Sequence, residues 1–515
     1  MVDASYLSNL LRQAVLSRSL TSGEKLHTQI IKGGFQFDPF LSNNLICLYT
    51  RSPATLRCAN KVFDEIRDPD VVSWTSLISG YAHAYLPLRA LDLFVSMLRH
   101  STLPNQHTFS AIFHACAAIS AAKPGLQIHA HAVKLGLDQQ KFVSSSVMDM
   151  YGKCGRVDDG LRVFDGMPER DEVSWGGIIC CCSQNGRPWD ALQLFGLMRA
   201  SDAKANMFSL SGALCASADA AAYDQGRIIH AYAVAIGLET NVFVGSALVD
   251  MYGKCGVIND AQAAFHSLAA PNLVSWNAII MAYAQQGNVD AALKLFAELR
   301  SQGVLPDDVT FLAILTACSN AGMVDEARNL LTSMSTEFGL PPCVGHYTCV
   351  ISVLCRAGLI EEAEELALIM PFPPDSAVWR VLLSACMVHG NSVVGERVGR
   401  RAIESRDKDG ENEEDASLYV LLSNIYSGKA RWHEAARIRR ELHELRVQKE
   451  AGQSWIQIAQ HLHVFVSGDQ THPFTVDIYR VIAVLTEEIR KLMLVGDFRC
   501  NHAGTFGISS IDDLH

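Results

Sequence analysis

Apolar residues recur along this chain at helical spacing, punctuated by glycine, asparagine and proline. Between Leu273 and Asp307, Trp276, Ile279, Ile280 and Tyr283 follow i, i+3, i+4, i+7, which lines one face of a helix. Gly287-Asn288 breaks that run, Ala292, Leu295, Phe296 and Leu299 resume it, and Gly303 with Pro306 ends it. The stretch predicts a helix–turn–helix unit of 35 residues. Neither helix can bury its stripe alone, so such units have to stack on their neighbours.

The unit sits inside a longer period. Val72-Ser73-Trp74 returns as Val173-Ser174-Trp175 and again as Val274-Ser275-Trp276, each time 101 residues on. Met150-Tyr-Gly-Lys-Cys-Gly155 and the pair Ile128-His129 return at the same step, as Met251 to Gly256 and Ile229-His230. Gln106 to Gln140 forms a second unit of 35 residues and Lys141 to Asp171 one of 31, so each block divides into three hairpins. The fourth tryptophan, Trp379, lies 103 residues after Trp276, which fits a last block of units 273–307, 308–343 and 344–375. A stacked array has no single closed core, so its function is to be sought along a surface and not in one pocket.

These lengths and phrases resemble the plant pentatricopeptide repeat (PPR) family, in its PLS class of P, long and short repeats. Val274-Ser-Trp-Asn-Ala-Ile-Ile280, Ala247-Leu-Val-Asp-Met-Tyr-Gly-Lys-Cys-Gly256 and Lys61-Val-Phe-Asp-Glu-Ile66 carry the resemblance, which covers roughly residues 3–490. It implies an all-α fold, a right-handed superhelical solenoid of about ten hairpins over 3–375. Beyond Asp375 the period dissolves. Ala377-Val-Trp-Arg-Val-Leu-Leu-Ser-Ala-Cys386 resembles the family's E1 motif, and Tyr419-Val-Leu-Leu-Ser-Asn-Ile-Tyr426 with the basic helix to Lys449 resembles E2, giving an E1–E2 region at 376–450. Gly452-Gln-Ser-Trp-Ile-Gln-Ile458 resembles the start of an E+ extension, partial over 451–495, before a divergent tail at 496–515. The charged stretch Arg406 to Asp415 is expected to be a solvated loop between E1 and E2.

Composition narrows the chemistry. No apolar run approaches the roughly 18 residues of a membrane span, so no membrane partner is expected. The 15 cysteines are scattered on apolar faces without a Cys-x-x-Cys pair, which predicts reduced thiols in a reducing compartment. A net charge of −11 argues against charge-driven, non-specific nucleic-acid binding but leaves a local basic stripe open. Many relatives carry a C-terminal DYW-type zinc deaminase, whose chemistry needs His-x-Glu and Pro-Cys-x-x-Cys. None of the 18 histidines here has Glu two residues on, so no catalytic residue is expected. Cys180-Cys181-Cys182 point in different helical directions and read as packing, and His461 with His463, alternating on a short strand, lack further ligands for a metal. No phosphate-binding glycine loop stands out, and no cofactor is expected. Residues 1–20, with Arg12, Arg18 and several serines, weakly resemble an organelle presequence. Yet Leu26 to Gly34 matches the repeat text at Ile128 to Gly136. Either a targeting peptide is missing, or these residues do both jobs.

The resemblance implies recognition of single-stranded RNA, one repeat per base, by the fifth and last residues of each repeat. Asn277 with Asp307 resembles a uracil-reading pair, and Asn43 with Asp70 another, although that repeat has one extra residue. Thr75 with Asn105 and Ser246 with Asn272 resemble adenine pairs; Gly176 with Asn206 departs from the pattern and gives a weak adenine reading. Ser145 with Asp171 resembles a guanine pair, as does Thr348 with Asp375. The long repeats, with Ser110, Ser211 and Leu312 at the fifth position, have no dependable reading. The alternative is that Asp and Asn at repeat ends simply cap the next helix. With the N-terminus at the RNA 5′ end, the implied site runs U-A-x-G-(A)-x-A-U-x-(G). The expected role is site recognition for organellar C-to-U editing, in the mitochondrion or alternatively the chloroplast. The E1–E2 region would recruit a separate DYW-type deaminase or other editing-complex proteins. Splicing or stabilisation of an organellar transcript, and a protein-binding scaffold, are the competing roles.

Overall fold

The computed structural model describes residues 4–17, 19–201, 203–409, 416–444, 453–458, 461–466 and 474–495. Its helices pair into antiparallel hairpins in chain order, and the first helix of each packs on the first helix of the next. The first helices thus form one continuous layer; the second helices cover it from behind. In the central blocks they are Val71–His83, Gln106–Ala118, Lys141–Lys153, Glu172–Gln184, Met207–Asp219, Val242–Lys254, Leu273–Gln285, Asp308–Ala321 and Val344–Arg356. Among the described residues eleven hairpins precede Ser376, where the repeat text predicts about ten. The fold is an all-α repeat solenoid, with one short two-stranded element near its C-terminal end. No described helix is long and apolar enough to cross a membrane.

Local chemistry explains each hairpin. In the 273–307 unit the first helix ends at Gln285, and Gly287 closes the turn at φ +73°, the left-handed region that a residue without a Cβ adopts freely. Asn288 N–H then bonds back to the Tyr283 carbonyl at 3.0 Å, and the second helix, Val289–Ser301, begins. Close packing sets the small residues: a Cβ on Gly226 would stand 2.3 Å from the Met251 sulfur.

The 101-residue landmarks have physical causes. Each tryptophan of a Val-Ser-Trp triplet takes the edge of a phenylalanine from the preceding short unit. Phe63–Trp74, Phe164–Trp175 and Phe265–Trp276 have ring centroids 4.7, 4.8 and 4.8 Å apart. Such pairs contribute about 0.5–1.5 kcal/mol beyond area burial. The Ile-His pairs, and Leu26-His27 before them, place an imidazole against a tyrosine of the next first helix. His27, His129 and His230 Nδ1 lie 2.9, 2.8 and 2.7 Å from the hydroxyls of Tyr49, Tyr151 and Tyr252.

Past the array, Ser376–Val388 pairs with Ser392–Asp409 and Ala416–Gly428 with Trp432–Glu444. The expected loop at Arg406 to Asp415 is therefore corrected in part. Residues Arg406–Asp409 continue the helix that begins at Ser392, since no Gly or Pro stands between Gly399 and Gly410; residues 410–415 lie outside the described set. Glu364 of the last array hairpin is buried and accepts from Arg397 Nε at 2.7 Å and from Arg401 at 3.0 Å. A buried carboxylate needs such partners, and these come from the first E hairpin. Gln453–Ile458 pairs antiparallel with His461–Val466, so His461 and His463 do lie on a strand. Helix Thr475–Val495 follows; Lys449 and the tail at 496–515 lie outside the described residues.

Burial pushes the His27, His129 and His230 imidazoles below their ordinary range, so the folded chain holds them neutral. The unfolded chain takes up those protons more readily below about pH 6.5, so the stability tied to these groups is lost as pH falls through that value. The free energy of unfolding is expected to drop between about pH 7 and about pH 5. A His27→Gln/His129→Gln/His230→Gln variant is expected to drop less across the same range in denaturant titrations. Equal slopes would contradict the assignment.

Candidate nucleic-acid interface

A helix begins with backbone N–H groups that have no partner inside it. Along the first-helix layer an Asp or Asn supplies the acceptor. Asp70, Asn105, Asp171, Asn206, Asn272, Asp307 and Asp375 each stand at the N-cap of the next first helix. Asp307 Oδ1 accepts from Thr310 N–H at 2.9 Å and from the Thr310 hydroxyl at 2.7 Å. Asn272 Oδ1 does the same with Ser275, at 2.9 and 3.0 Å. Capping of the helix by repeat-end residues is thus a fact of the structure.

The cap uses one atom. Among the described residues no hydrogen bond reaches Oδ2 of Asp171 or Asp307, or Nδ2 of Asn105 or Asn272. A carboxylate there offers only lone pairs, and an amide there offers only N–H donors. Burial alone would raise the Asp307 carboxyl. Hydrogen bonds from Thr310 and Asn277 outweigh it and hold the group below the ordinary carboxylate range. Asp70 and Asp171 are lowered likewise, by Ser73 with Asn43 and by Ser174, each against burial.

The fifth residue of each unit lies one helical turn in, where it meets the next cap. Asn277 Nδ2 donates to Asp307 Oδ1 at 3.0 Å, and Asn277 Oδ1 accepts from the Thr310 hydroxyl at 2.7 Å. Asn43 Nδ2 donates to Asp70 Oδ1 at 3.2 Å; the extra residue of that unit is absorbed by the 3-10 turn Pro53–Thr55. The Ser246 hydroxyl reaches Asn272 Oδ1 at 3.5 Å and Ser275 Oγ at 2.7 Å. Thr75 reaches Asn105 through the Thr108 hydroxyl, in steps of 2.6 and 3.1 Å. Gly176 has no side chain to offer, and Asn206 Nδ2 instead donates to the Glu172 carbonyl at 2.9 Å. No hydrogen bond joins Ser145 to Asp171 or Thr348 to Asp375 among the described residues; Thr348 bonds the Val344 carbonyl of its own helix at 2.9 Å. Asn277 and Ser246 are only 7% and 5% exposed, so they orient the caps from beneath.

One set of residues escaped the sequence reasoning. The second residue of most first helices is a large apolar side chain facing solvent: Phe40, Val72, Phe142, Val173, Phe208, Phe243, Val274 and Val309. Val274 is 62% exposed although its helix is otherwise among the most apolar. Phe243, Val274 and Val309 line one cleft of about 360 Å³ together with Ser246, Asn272 and Asn277. The signal was present, since Val72, Val173 and Val274 open the repeated triplet but fall off the buried stripe of Trp and Ile. Flat apolar walls separated by one directed polar group suit a planar, partly polar ring. The cysteines offer no comparable site: Cys181 and Cys182 are buried, and burial pushes their thiols up to about 11 and about 12. No group of His, Cys, Asp and Glu among the described residues has the arrangement to hold a metal ion.

Comparison with known proteins places these features in a family. Residues 69–118 and 271–320 match the PPR repeat family, and 142–171, 173–202, 309–337 and 345–370 match the PPR repeat. Residues 401–457 match the E motif. A mitochondrial pentatricopeptide repeat-containing protein of Arabidopsis thaliana is 34% identical over 95% of this chain and 77% of its own length. A chloroplastic relative of the same plant is 35% identical over 97% of this chain and 57% of its own length. A third Arabidopsis relative is 34% identical over 95% of this chain, which spans only 49% of that protein. The crystal structure of the pentatricopeptide repeat protein PPR10 from maize shares the fold, with a TM-score of 0.51 over 86% of this chain and 69% of that one, at 17% identity.

The caps generate a stability test. Asp307→Ala is expected to lower the free energy of unfolding by about 0.5–2 kcal/mol. Asp307→Asn keeps the capping oxygen and is expected to cost less than about 0.5 kcal/mol. Denaturant melts of the two variants check this, and equal losses would show that the charge and not the cap is what stabilises the helix.

Proposed function

Because the chain belongs to the pentatricopeptide repeat family, we propose that it binds single-stranded RNA in sequence, one base per hairpin, along its layer of first helices. The observation that carries this reading is the second cap atom that no hydrogen bond reaches among the described residues at Asn105, Asp171, Asn272 and Asp307, held in register with the exposed apolar walls. A base slides between successive walls, such as Phe243 and Val274, and meets the cap edge-on. The caps then choose by hydrogen-bond polarity. A carboxylate oxygen at Asp70, Asp171, Asp307 or Asp375 accepts from the ring N–H of uracil or guanine. An amide N–H at Asn105 or Asn272 donates to the ring nitrogen of adenine or cytosine. The fifth residue sets the orientation and the room, dividing Asn43/Asp70 and Asn277/Asp307 for uracil from Ser145/Asp171 and Thr348/Asp375 for guanine. Thr75/Asn105 and Ser246/Asn272 take adenine. Gly176/Asn206 reads weakly because its amide is spent on the Glu172 carbonyl. Capping and reading are therefore not alternatives; they use different atoms of one side chain.

The match to the E motif supports a role as the site-recognition factor for C-to-U editing of organellar RNA, with base conversion by a zinc deaminase supplied in trans through the E1–E2 region. Relatives named as mitochondrial and as chloroplastic support an organelle, and the mitochondrion is the reading adopted. Splicing or stabilisation of a transcript is the second reading, since the same groove would serve it.

Asn277→Thr places a guanine-type pair at the eighth base and is expected to move preference there from uracil to guanine by roughly tenfold, within the ~1–3 kcal/mol of one base contact. A binding panel of single-base RNA variants checks this, and an unchanged preference at that base would refute reading by this pair. In a null mutant, transcriptome sequencing is expected to show loss of C-to-U conversion at one or a few sites. Intact editing with an unspliced or shortened transcript would instead establish the second reading.

A further inference from the structure

The long unit Gln106–Gln140, with Ser110 and Gln140 at its fifth and last positions, has no dependable base reading, yet a polar cavity opens beside it. About 430 Å³ in volume, it lies between helices Val71–His83, Gln106–Ala118 and Lys141–Lys153 and includes His83, His107, His114, Ser110 and Asp149 in its lining. The His83 and His114 rings face each other with centroids 5.4 Å apart, and His107 lies 6.3 Å from Phe142. All three histidines are exposed, and neither His83 nor His114 has a hydrogen-bond partner among the described residues. The cluster belongs to this block alone. One period on, the same positions hold Gln184, Phe208 and Cys215, and two periods on Gln285, Val309 and Thr316. A role in stacking the hairpins would have been repeated with the tryptophans.

We infer that this cavity seats the sugar-phosphate backbone of the third nucleotide of the bound RNA, with protonated His83 and His114 on the phosphate and His107 against the base. The inference rests on the RNA-binding reading above and assigns a contact to a unit without a dependable base reading. The charges facing the cluster are few: Asp149 from helix Lys141–Lys153, and Arg51, which lines the adjoining cleft with His83. With neutral imidazoles those two charges cancel. With protonated imidazoles the lining is positive, in a chain whose net charge is −11. Histidine is the side chain that makes this change between about pH 5 and pH 8. The long unit thus anchors the strand by charge, and the anchor strengthens with acidity.

The test measures RNA affinity against salt for the full chain, on an oligonucleotide carrying the U-A-x-G-(A)-x-A-U-x-(G) order, at about pH 6 and about pH 8. Each phosphate neutralised in a single strand steepens the slope of log affinity on log salt by about 0.7. The slope is expected to be steeper at the lower pH by about one such step. His83→Gln/His114→Thr, which installs the residues of the third block, is expected to remove the difference and leave thermal stability unchanged. A neutral methylphosphonate at the third nucleotide is expected to remove it in the native chain, and one at the eighth to leave it. Binding with the same slope at both pH values, or a difference that survives the double variant, overturns this inference and leaves base reading standing. Failure to bind at either pH overturns both.

Discussion

Every first helix in this array starts with N–H groups that only something outside the helix can accept. At most of them an Asp or Asn at the end of the preceding unit accepts these with a single oxygen, Gln140 and Cys343 standing there instead before two of the helices, and much of the structure follows from that economy. The cap fixes where each helix begins, so successive first helices start in register. It ties neighbouring hairpins, because the fifth residue of one unit bonds the cap of the next, as Asn277 does Asp307. At Asn105, Asp171, Asn272 and Asp307 it also leaves one directed polar atom that no described hydrogen bond reaches. Spacing, cohesion and chemical display come from the same side chain.

The 101-residue period is a record of packing. The Phe–Trp edge contacts and the His–Tyr hydrogen bonds recur because a block of three hairpins returns to the same relative placement. Stability in such an array is a sum of neighbour contacts, so local changes stay local. That is why first-helix positions can vary freely in chemistry, from Asn43 to Gly176, without loss of the fold. The ion pair of Glu364 with Arg397 and Arg401 marks where this regime ends and the E hairpins begin.

How much was legible in the sequence depended on whether a pattern names residues or atoms. The helices of the 273–307 unit follow from Trp276, Ile279 and Ile280 alone, since spacing is a property of residues. That Asp307 caps a helix with Oδ1 while no described hydrogen bond reaches its Oδ2 was not legible, since both oxygens are one letter in the sequence. The exposure of Val72, Val173 and Val274 is hard to see in composition, because apolar residues in an amphipathic helix suggest core, yet each stands two residues before its buried tryptophan and so on the other side of the helix. Charge and a nearby glycine make Arg406–Asp409 read as loop, yet no Gly or Pro stands between Gly399 and Gly410 to break a helix.

The central claim is that chain order and base order correspond through the caps. Selection of bound sequences from a fully randomised RNA pool by the purified chain tests it without assuming a target. The account predicts a single enriched register in which uracil or guanine falls opposite Asp70, Asp171 and Asp307, and adenine opposite Asn105 and Asn272, running 5′ to 3′ with the chain. Enrichment of a motif in which base class bears no relation to the Asp/Asn order, or no enrichment at all, would contradict it.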